Sequence, residues 1–307
     1  MGCLVAIVGP TASGKSRLAV QLAQRLCGEI VNADSRQVYR FMDIGTAKSS
    51  FDELRLVPHH LIDVVNPDEP FTLATYQEMA YRAIDGLHGG GKRVFLVGGT
   101  GLYVWAVMEG WTIPRVAPSP ELRRRLESMA CVRGAAAVHQ ELQAADPAAA
   151  AKIAPANLRR VIRALEVYYG TGHPISEQWA KKPPAFTVRI VGLTMPREEL
   201  YRRIDTRVDR MVADGLVEEV EGLLGKGYNL QLPSMSGIGY RQMVKHLRGE
   251  VSLVEAIQEI KFETHRLARH QYAWFRIRDE RICWFEAGSG GDMLADEVQK
   301  WLADDGR

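Results

Sequence analysis

The chain has 307 residues, 46% hydrophobic and 25% charged, the balance of a globular protein long enough for two domains or for one domain with a large insertion. Its 28 glycines and 14 prolines are scattered without period, which excludes collagen and low-complexity chains, and the longest apolar run, Val94–Met108, holds three glycines and falls short of the roughly 20 residues a bilayer span needs. The formal net charge is +2, yet between Pro114 and Ile190 twelve Lys and Arg stand against six Asp and Glu, which suits either a polyanion or a solvated Arg-rich helical surface.

Leu4–Val8 is a short continuous apolar run, the pattern of a strand buried on both faces. A Gly-rich turn follows, then a helix with Leu18, Leu22, Ala23 and Leu26 at helical spacing. Glu29–Asp34 reads as a second strand ending in a carboxylate, and Arg93–Val97 as a third, followed by a helix over Leu102–Met108. Strands alternating with helices predict a parallel α/β sheet. Beyond Pro114 the pattern is helical only, with Leu122, Leu126 and Met129 on one face and Leu158, Ile162 and Leu165 on another. An Ala-rich connection, Ala144–Ala156, joins the two and is broken at Pro147 and Pro155. Lys181–Pro184 ends this part, and Phe186–Met195 alternates like a strand returning to the sheet. Long helices are expected over Arg197–Leu224 and Leu253–Phe275. Ser252 with Glu255 forms a capping box for the second, whose stripe is Leu253, Ile257, Ile260, Thr264, Leu267 and Gln271. The reading is a parallel core over 1–113 and 185–307, with a basic, all-helical insertion over 114–184.

Cys3, Cys27, Cys131 and Cys283 lack metal-binding spacing and read as buried reduced thiols of a cytosolic protein. No basic region precedes a long apolar stretch at the start, and Ala6 stands where a myristoylation pattern needs Ser or Thr. These features predict a cytoplasmic protein without membrane attachment.

Gly9-Pro10-Thr11-Ala12-Ser13-Gly14-Lys15-Ser16 fits the phosphate-loop pattern G-x-x-x-x-G-K-[ST], between a buried strand and an amphipathic helix as that loop requires. Its glycines let the backbone wrap phosphate oxygens, N–H groups at the helix start point at the anion, Lys15 adds a point charge, and the Ser16 hydroxyl can reach a magnesium ion. The loop therefore predicts a bound diphosphate or triphosphate. The third strand ends in Gly98-Gly99-Thr100-Gly101 with no metal-holding carboxylate, and no guanine-reading NKxD is present. Asp34-Ser35-Arg36-Gln37 follows the second strand instead. Strand carboxyl ends share one edge of a parallel sheet, so Asp34, Thr100 and the phosphate loop should converge there. A carboxylate held against bound phosphates is suited to take up a proton, although Asp34 could equally serve as a turn-initiating Asx residue. His59-His60 point to opposite faces of an extended segment and make a poor metal pair. Tyr272, Trp274 and Phe275 fit either a helical core or a base-stacking surface.

Taken together, GPTASGKS, Asp34–Tyr39, Met42–Lys48, Gly98–Tyr103, Arg160–Glu166 and Gly239–Gln242 resemble bacterial tRNA dimethylallyltransferase (tRNA isopentenylpyrophosphate transferase). The matches run in the family's order from Gly9 to about Phe275. The resemblance implies a P-loop NTPase-like core and transfer of a dimethylallyl group from dimethylallyl pyrophosphate to N6 of the adenine beside the tRNA anticodon, with pyrophosphate released. It implies that Gly9–Ser16 hold the pyrophosphate with Mg²⁺ at Ser16, that Asp34 is the base at N6, and that Thr100 hydrogen-bonds near the reacting centre. It also implies contacts to the tRNA anticodon stem-loop from Asp34, Ser35, Arg36, Gln37, Thr100, Arg123, Leu158, Arg159, Arg160, Val161 and Ile162, in a monomeric enzyme. Physically, the delocalised N6 amine is a weak nucleophile, so departure of a stabilised pyrophosphate must drive the step, and the adenine must leave its stack to reach a buried carbon. The sequence departs from the family's T-R-x-x-A-K-R-Q at Thr264–Gln271, where His265 and His270 replace arginines, and no contacts are carried over to them. Three other readings share the phosphate loop. A small-molecule kinase predicts ATP turnover, a nucleotide-gated RNA-binding protein leaves Asp34 without a role, and prenyl transfer to free AMP leaves the basic insertion without one.

Overall fold

The computed structural model describes residues 2–287 and 291–304; the expected outer bounds of the core, residues 1 and 307, lie outside them. The chain forms two compact units, Met1–Met108 with Pro184–Arg307, and Glu109–Pro183.

In the first unit the apolar run forms β1 (Cys3–Val8), buried from Leu4 onward. Gly14, at φ 92°, opens α1 (Lys15–Arg25), which buries Leu18, Ala19, Leu22 and Ala23. There follow β2 (Gly28–Asn32), α2 (Phe51–Leu56), the two-residue β3 (His59–His60), α3 (Leu73–Gly89), β4 (Arg93–Val97) and α4 (Gly101–Met108). After the helical unit come β5 (Thr187–Thr194), α9 (Arg197–Ala213), α10 (Leu216–Gly225), α11 (Tyr240–Leu247), α12 (Leu253–Trp274), β6 (Ile282–Glu286) and α13 (Gly291–Asp304). The six strands make one sheet in the order β3-β2-β4-β1-β5-β6, parallel throughout. All carboxyl ends therefore fall on one edge, and the parallel α/β core implied by strand–helix alternation is the fold. The central strands are fully buried because helices cover both faces.

The helical unit consists of α5 (Pro120–Arg133), α6 (Ala135–Ala145), α7 (Pro147–Ala150) and α8 (Leu158–Thr171), with a 3-10 turn at Ile175–Gln178. Leu126, Val138, Leu142, Val161, Ile162 and Leu165 form its core. Caps set the boundaries. Ser119 accepts from the Leu122 N–H with Pro120 in the first turn, and Asn157 accepts from the Arg160 N–H. Asp146, only 1% exposed, accepts from the Ala149 N–H at 2.9 Å, the Ser176 N–H at 2.9 Å and the Ser176 hydroxyl at 2.6 Å.

Several expectations are corrected. The helix expected over Arg197–Leu224 is broken at Gly215, whose φ of 105° takes the chain out of helical geometry. The Ala-rich connection carries the end of α6 and all of α7, because Asp146 caps what Pro147 begins. The capping box at Ser252 and Glu255 is present, but the stripe on α12 is rotated, with Leu267 39% exposed and Ala268 buried in its place. Cys27 and Cys131 are exposed, Cys3 and Cys283 half-buried, and none is in a disulfide. Among the described residues no helix is long and apolar enough to cross a membrane.

Candidate active site

The loop Gly9–Ser16 leaves β1 at the carboxyl edge and turns into α1. Gly9, at φ 138°, lies so close to β5 that a Cβ there would stand 2.4 Å from the Leu193 carbonyl. Close packing against the sheet thus fixes the start of the loop. Inside it the Ser13 side chain is buried and its Oγ has no partner among the described residues, the state of a group placed for a ligand. Lys15 folds back to donate from Nζ to the Pro10 carbonyl at 2.5 Å. Burial, reinforced by the neighbouring Arg207 charge and opposed by Asp34, pushes its ammonium down to about 7. Ser16 is exposed at the helix start, where the first N–H groups of α1 have no intrahelical acceptor.

Asp34 sits just past β2. Its Oδ1 accepts from the Arg36 N–H at 2.8 Å, and its own N–H donates to Asn32 Oδ1 at 3.1 Å. The Asx turn is therefore real, and it orients the carboxyl while that carboxyl lines a cavity of about 240 Å³ together with Lys15, Ser16, Gln37, Arg207 and Gln271. Phosphate loop and carboxylate open onto one space, and the Asx turn does not take the carboxyl out of it. Gly98 and Gly99 continue the wall; a Cβ on Gly98 would fall 2.1 Å from the Ala33 carbonyl, and on Gly99 2.2 Å from Gln271 Nε2. Gly98 is thus required by its contact with the chain leaving β2, and Gly99 leaves room for the Gln271 amide.

Thr100 is one step outside the cavity lining. Its Oγ1 accepts from the Ser35 N–H at 3.0 Å and donates to the Ser35 hydroxyl at 3.3 Å, tying the β4 turn to the residue after Asp34. Arg36 is held elsewhere, donating to the Pro233 and Ser234 carbonyls at 2.7 and 3.1 Å. Gln37 lines the cavity and donates to the Thr46 and Ala47 carbonyls. The Met42–Lys48 segment is a second wall, pinned by Glu219, which accepts from the N–H groups of Asp43, Ile44 and Gly45 and from the Tyr240 hydroxyl. That explains why the 42–48 and 239–242 segments belong to one signature.

Two residues missed by sequence reasoning complete the site. Arg207 on α9 is half-buried and lines the cavity, desolvation lowers its guanidinium from the ordinary value, and no carboxylate pairs with it among the described residues; a partly desolvated cation without a counter-charge is a place for an anion. No local pattern marks it, since α9 is rich in exposed arginines. Gln271 on α12 accepts from the Thr11 N–H at 2.7 Å and donates to the Gly99 carbonyl at 3.2 Å, latching the phosphate loop to the β4 turn. An amide on a mainly apolar stripe was the available signal.

In the helical unit Arg159 and Arg160 are exposed on α8, and Leu158 is half-buried against the helical core. Val161 and Ile162, 0% and 4% exposed, turn their side chains into that core, so of this segment the arginine side chains are the ones open to solvent. Arg123 forms a bidentate pair with Glu166 at 2.7 and 2.9 Å. Arg163 also reaches Glu166, at 3.4 Å, so it is partly neutralised. His60 Nε2 lies 2.8 Å from Glu29 Oε2 while His59 Nδ1 lies 2.8 Å from the Val57 carbonyl, so the pair diverges. Of the aromatics ending α12, Phe275 is buried, Trp274 is 36% exposed, and Tyr272 shares a hydrogen bond with Thr194. His265 stacks on Tyr201 with ring centroids 4.0 Å apart, and His270 is exposed.

A metal would find one protein oxygen donor in the loop, the Ser16 hydroxyl. No cluster of three His, Cys, Asp or Glu suits a metal among the described residues, but the exposed Ser16 hydroxyl fits Mg²⁺, which characteristically takes few protein ligands and binds through substrate phosphates and waters.

The family profile described as IPP transferase matches residues 37–278, and one described as isopentenyl transferase matches residues 2–63. The chain is 55% identical over 273 residues to a tRNA dimethylallyltransferase of Roseiflexus sp. (strain RS-1), covering 89% of this chain and 90% of the relative. To the protein of that name from Dehalococcoides mccartyi it is 48% identical over 305 residues, covering 99% and 94%. The solved tRNA isopentenylpyrophosphate transferase of Bacillus halodurans superimposes with a TM-score of 0.74 at 42% identity, over 99% of this chain and 96% of that one. A eukaryotic dimethylallyltransferase acting on tRNA does so with a TM-score of 0.85 at 27% identity, over 99% and 79%. A phosphate loop facing an aspartate across one cavity, in a chain matched along nearly its whole length, places this protein in the IPP transferase family together with the tRNA dimethylallyltransferases.

Proposed function

We propose that this chain transfers a dimethylallyl group from dimethylallyl pyrophosphate to N6 of the adenine beside the anticodon of a tRNA, releasing pyrophosphate. The observation that carries the reading is the single cavity shared by Lys15, Ser16, Arg207 and Asp34. The pyrophosphate sits in Gly9–Ser16, with the Lys15 and Arg207 cations and the loop N–H groups stabilising the charge that develops as the C1–O bond breaks. When bound at Ser16, Mg²⁺ supplies further charge neutralisation on the leaving group. As C1 bonds to N6, Asp34 accepts the N6 proton. Its Asx turn holds the carboxyl ready, and Thr100 holds the following residue in place through the Ser35 backbone.

The adenine must swing out of its stack to enter, meeting Gln37 in the cavity wall, with Arg159 and Arg160 on the basic helical unit holding RNA phosphate. In this reading the enzyme acts as a cytoplasmic monomer. The relatives favour a tRNA acceptor over free AMP and prenyl transfer over phosphoryl transfer.

The test is incubation with labelled dimethylallyl pyrophosphate, Mg²⁺ and bulk tRNA, with parallel arms holding AMP, or ATP without a prenyl donor. Label is expected in adenosine from the tRNA arm alone. Label in AMP, or ATP turnover without label transfer, would replace the reading.

A further inference from the structure

Of the three aromatics that end α12, Phe275 is fully buried and Tyr272 half-buried, while Trp274 keeps 36% of its surface exposed. Its place is nonetheless fixed. The Trp274 carbonyl accepts from Trp105 Nε1 at 3.1 Å, and the buried Phe275 anchors the next residue. Trp105 is itself buried, with the Arg281 guanidinium 4.3 Å from its ring centre. The indole lies directly on the backbone that opens α4: a Cβ on Gly101 would stand 2.3 Å from Trp274 Cγ, so the ring sits where glycine leaves room for it. An aromatic held this firmly gives up little freedom when something stacks on its open face.

The indole also stands beside the site. Gln271, one turn back along α12, lines the cavity, and so does Gly99, two residues before Gly101. Thr100, between those glycines, accepts from the Ser35 N–H at 3.0 Å, next to Asp34. The indole therefore borders the side of the cavity on which Asp34 opens, and Leu102, which follows Gly101, is 38% exposed. The surrounding chain is basic: from Thr264 to Arg281 five arginines stand against Asp279 and Glu280. An open aromatic face in a basic segment suits an unpaired nucleobase and its phosphate. An adenine drawn into the cavity supplies that base, since its departure uncovers the face of its neighbour in the loop.

We infer that Trp274 is a stacking platform for the nucleotide adjoining the target adenine, taking that base on its open indole face while the adenine occupies the cavity. This rests on the proposed transfer to a tRNA adenine. The platform takes no part in bond making or proton transfer; it holds the loop in the form from which the adenine is already extruded. Because every base has a π-face, it does so without choosing which base adjoins the adenine.

The experiment measures binding of a tRNA anticodon stem-loop to wild type and Trp274→Ala at one fixed salt concentration, with the intact loop and with loops made abasic just before or just after the target adenosine. Trp274→Ala should raise the dissociation constant of the intact loop about 5- to 150-fold, the worth of one base–aromatic stack, while the KM for dimethylallyl pyrophosphate stays put. In wild type one of the two abasic loops should bind more weakly by a similar factor, and on that loop the alanine substitution should cost nothing further. An unchanged dissociation constant for the intact loop would overturn the inference. So would an equal loss on all three loops, which is what an indole that merely packs α12 against α4 would give. Trp274→Phe, which keeps an aromatic face, should recover most of the affinity together with its dependence on the same base. Trp274→Leu, which keeps apolar packing without a π-face, should follow the alanine pattern and decides the matter if the alanine variant does not fold. A wild type that bound the loop and transferred no prenyl group would end the functional reading, whereas the base dependence of binding would still decide the platform.

Discussion

Lys15 is the residue whose physics is most exposed to test. With its ammonium held down to about 7 by burial and by Arg207, the free enzyme carries Lys15 largely uncharged at pH 8, and an arriving pyrophosphate restores the charge. Donor binding should therefore take up a proton at pH 8 and little at pH 6, read by calorimetry in buffers of different ionisation enthalpy. Lys15→Met should abolish the uptake, and a buffer-independent heat in wild type would contradict the assignment. The sign for folding follows from the same shift. The unfolded chain binds this proton up to about 10.5 and the folded one only up to about 7, so the destabilisation from Lys15 is complete below pH 7 and is relieved as pH rises towards 10.5. Gln271 makes a separate prediction. Gln271→Ala should raise the donor KM by about tenfold, since losing hydrogen bonds to buried groups costs about 1–3 kcal/mol, while leaving tRNA binding in filter assays unchanged. A tRNA-binding defect instead would make Gln271 part of the RNA surface.

Among elements, those built on continuous or periodic apolar patterns were legible in the sequence, and those defined by long-range pairing were not. The β1 and β4 strands announce themselves because burial on both faces leaves an unbroken apolar run, and β2 shows only Ile30-Val31 between polar residues. The two-residue β3 carries no run at all and exists because β2 offers a partner; β6 has the short run Ile282–Phe285, too brief to tell from a loop without its pairing to β5. The phosphate loop and Asp34 were legible because each is local to one turn, while Arg207 reaches the site through the placement of α9. Burial alone would push the Glu166 carboxyl up, but hydrogen bonds from Arg123 and the Ser119 N–H hold it below the ordinary 4.5, so an arginine expected to face RNA also braces α5 against α8. Glu166→Ala should destabilise the helical unit by about 1–3 kcal/mol, seen as earlier unfolding in urea. Its pairing contribution is present above pH 4.5 and lost as pH falls through the lower folded value. Arg160→Ala, by contrast, should leave stability alone, weaken tRNA binding, and reduce the salt slope of binding by about one; an unchanged slope would remove α8 from the RNA surface.

At the scale of the whole molecule, the function proposed depends on bringing two charges of one sign together safely. The pyrophosphate lies in a cradle of N–H groups and cations, and Asp34 opens onto the same cavity from the end of β2, with β4 between it and β1, so departure of one anion and loss of a proton to another can occur in one step. The most direct measurement is the single-turnover rate of Asp34→Asn, with the dissociation constants for dimethylallyl pyrophosphate and tRNA determined separately. The account predicts a rate lower by about 10²- to 10⁴-fold with both dissociation constants little changed. A variant that transferred the prenyl group at the wild-type rate, or that lost donor and tRNA binding together with turnover, would contradict it.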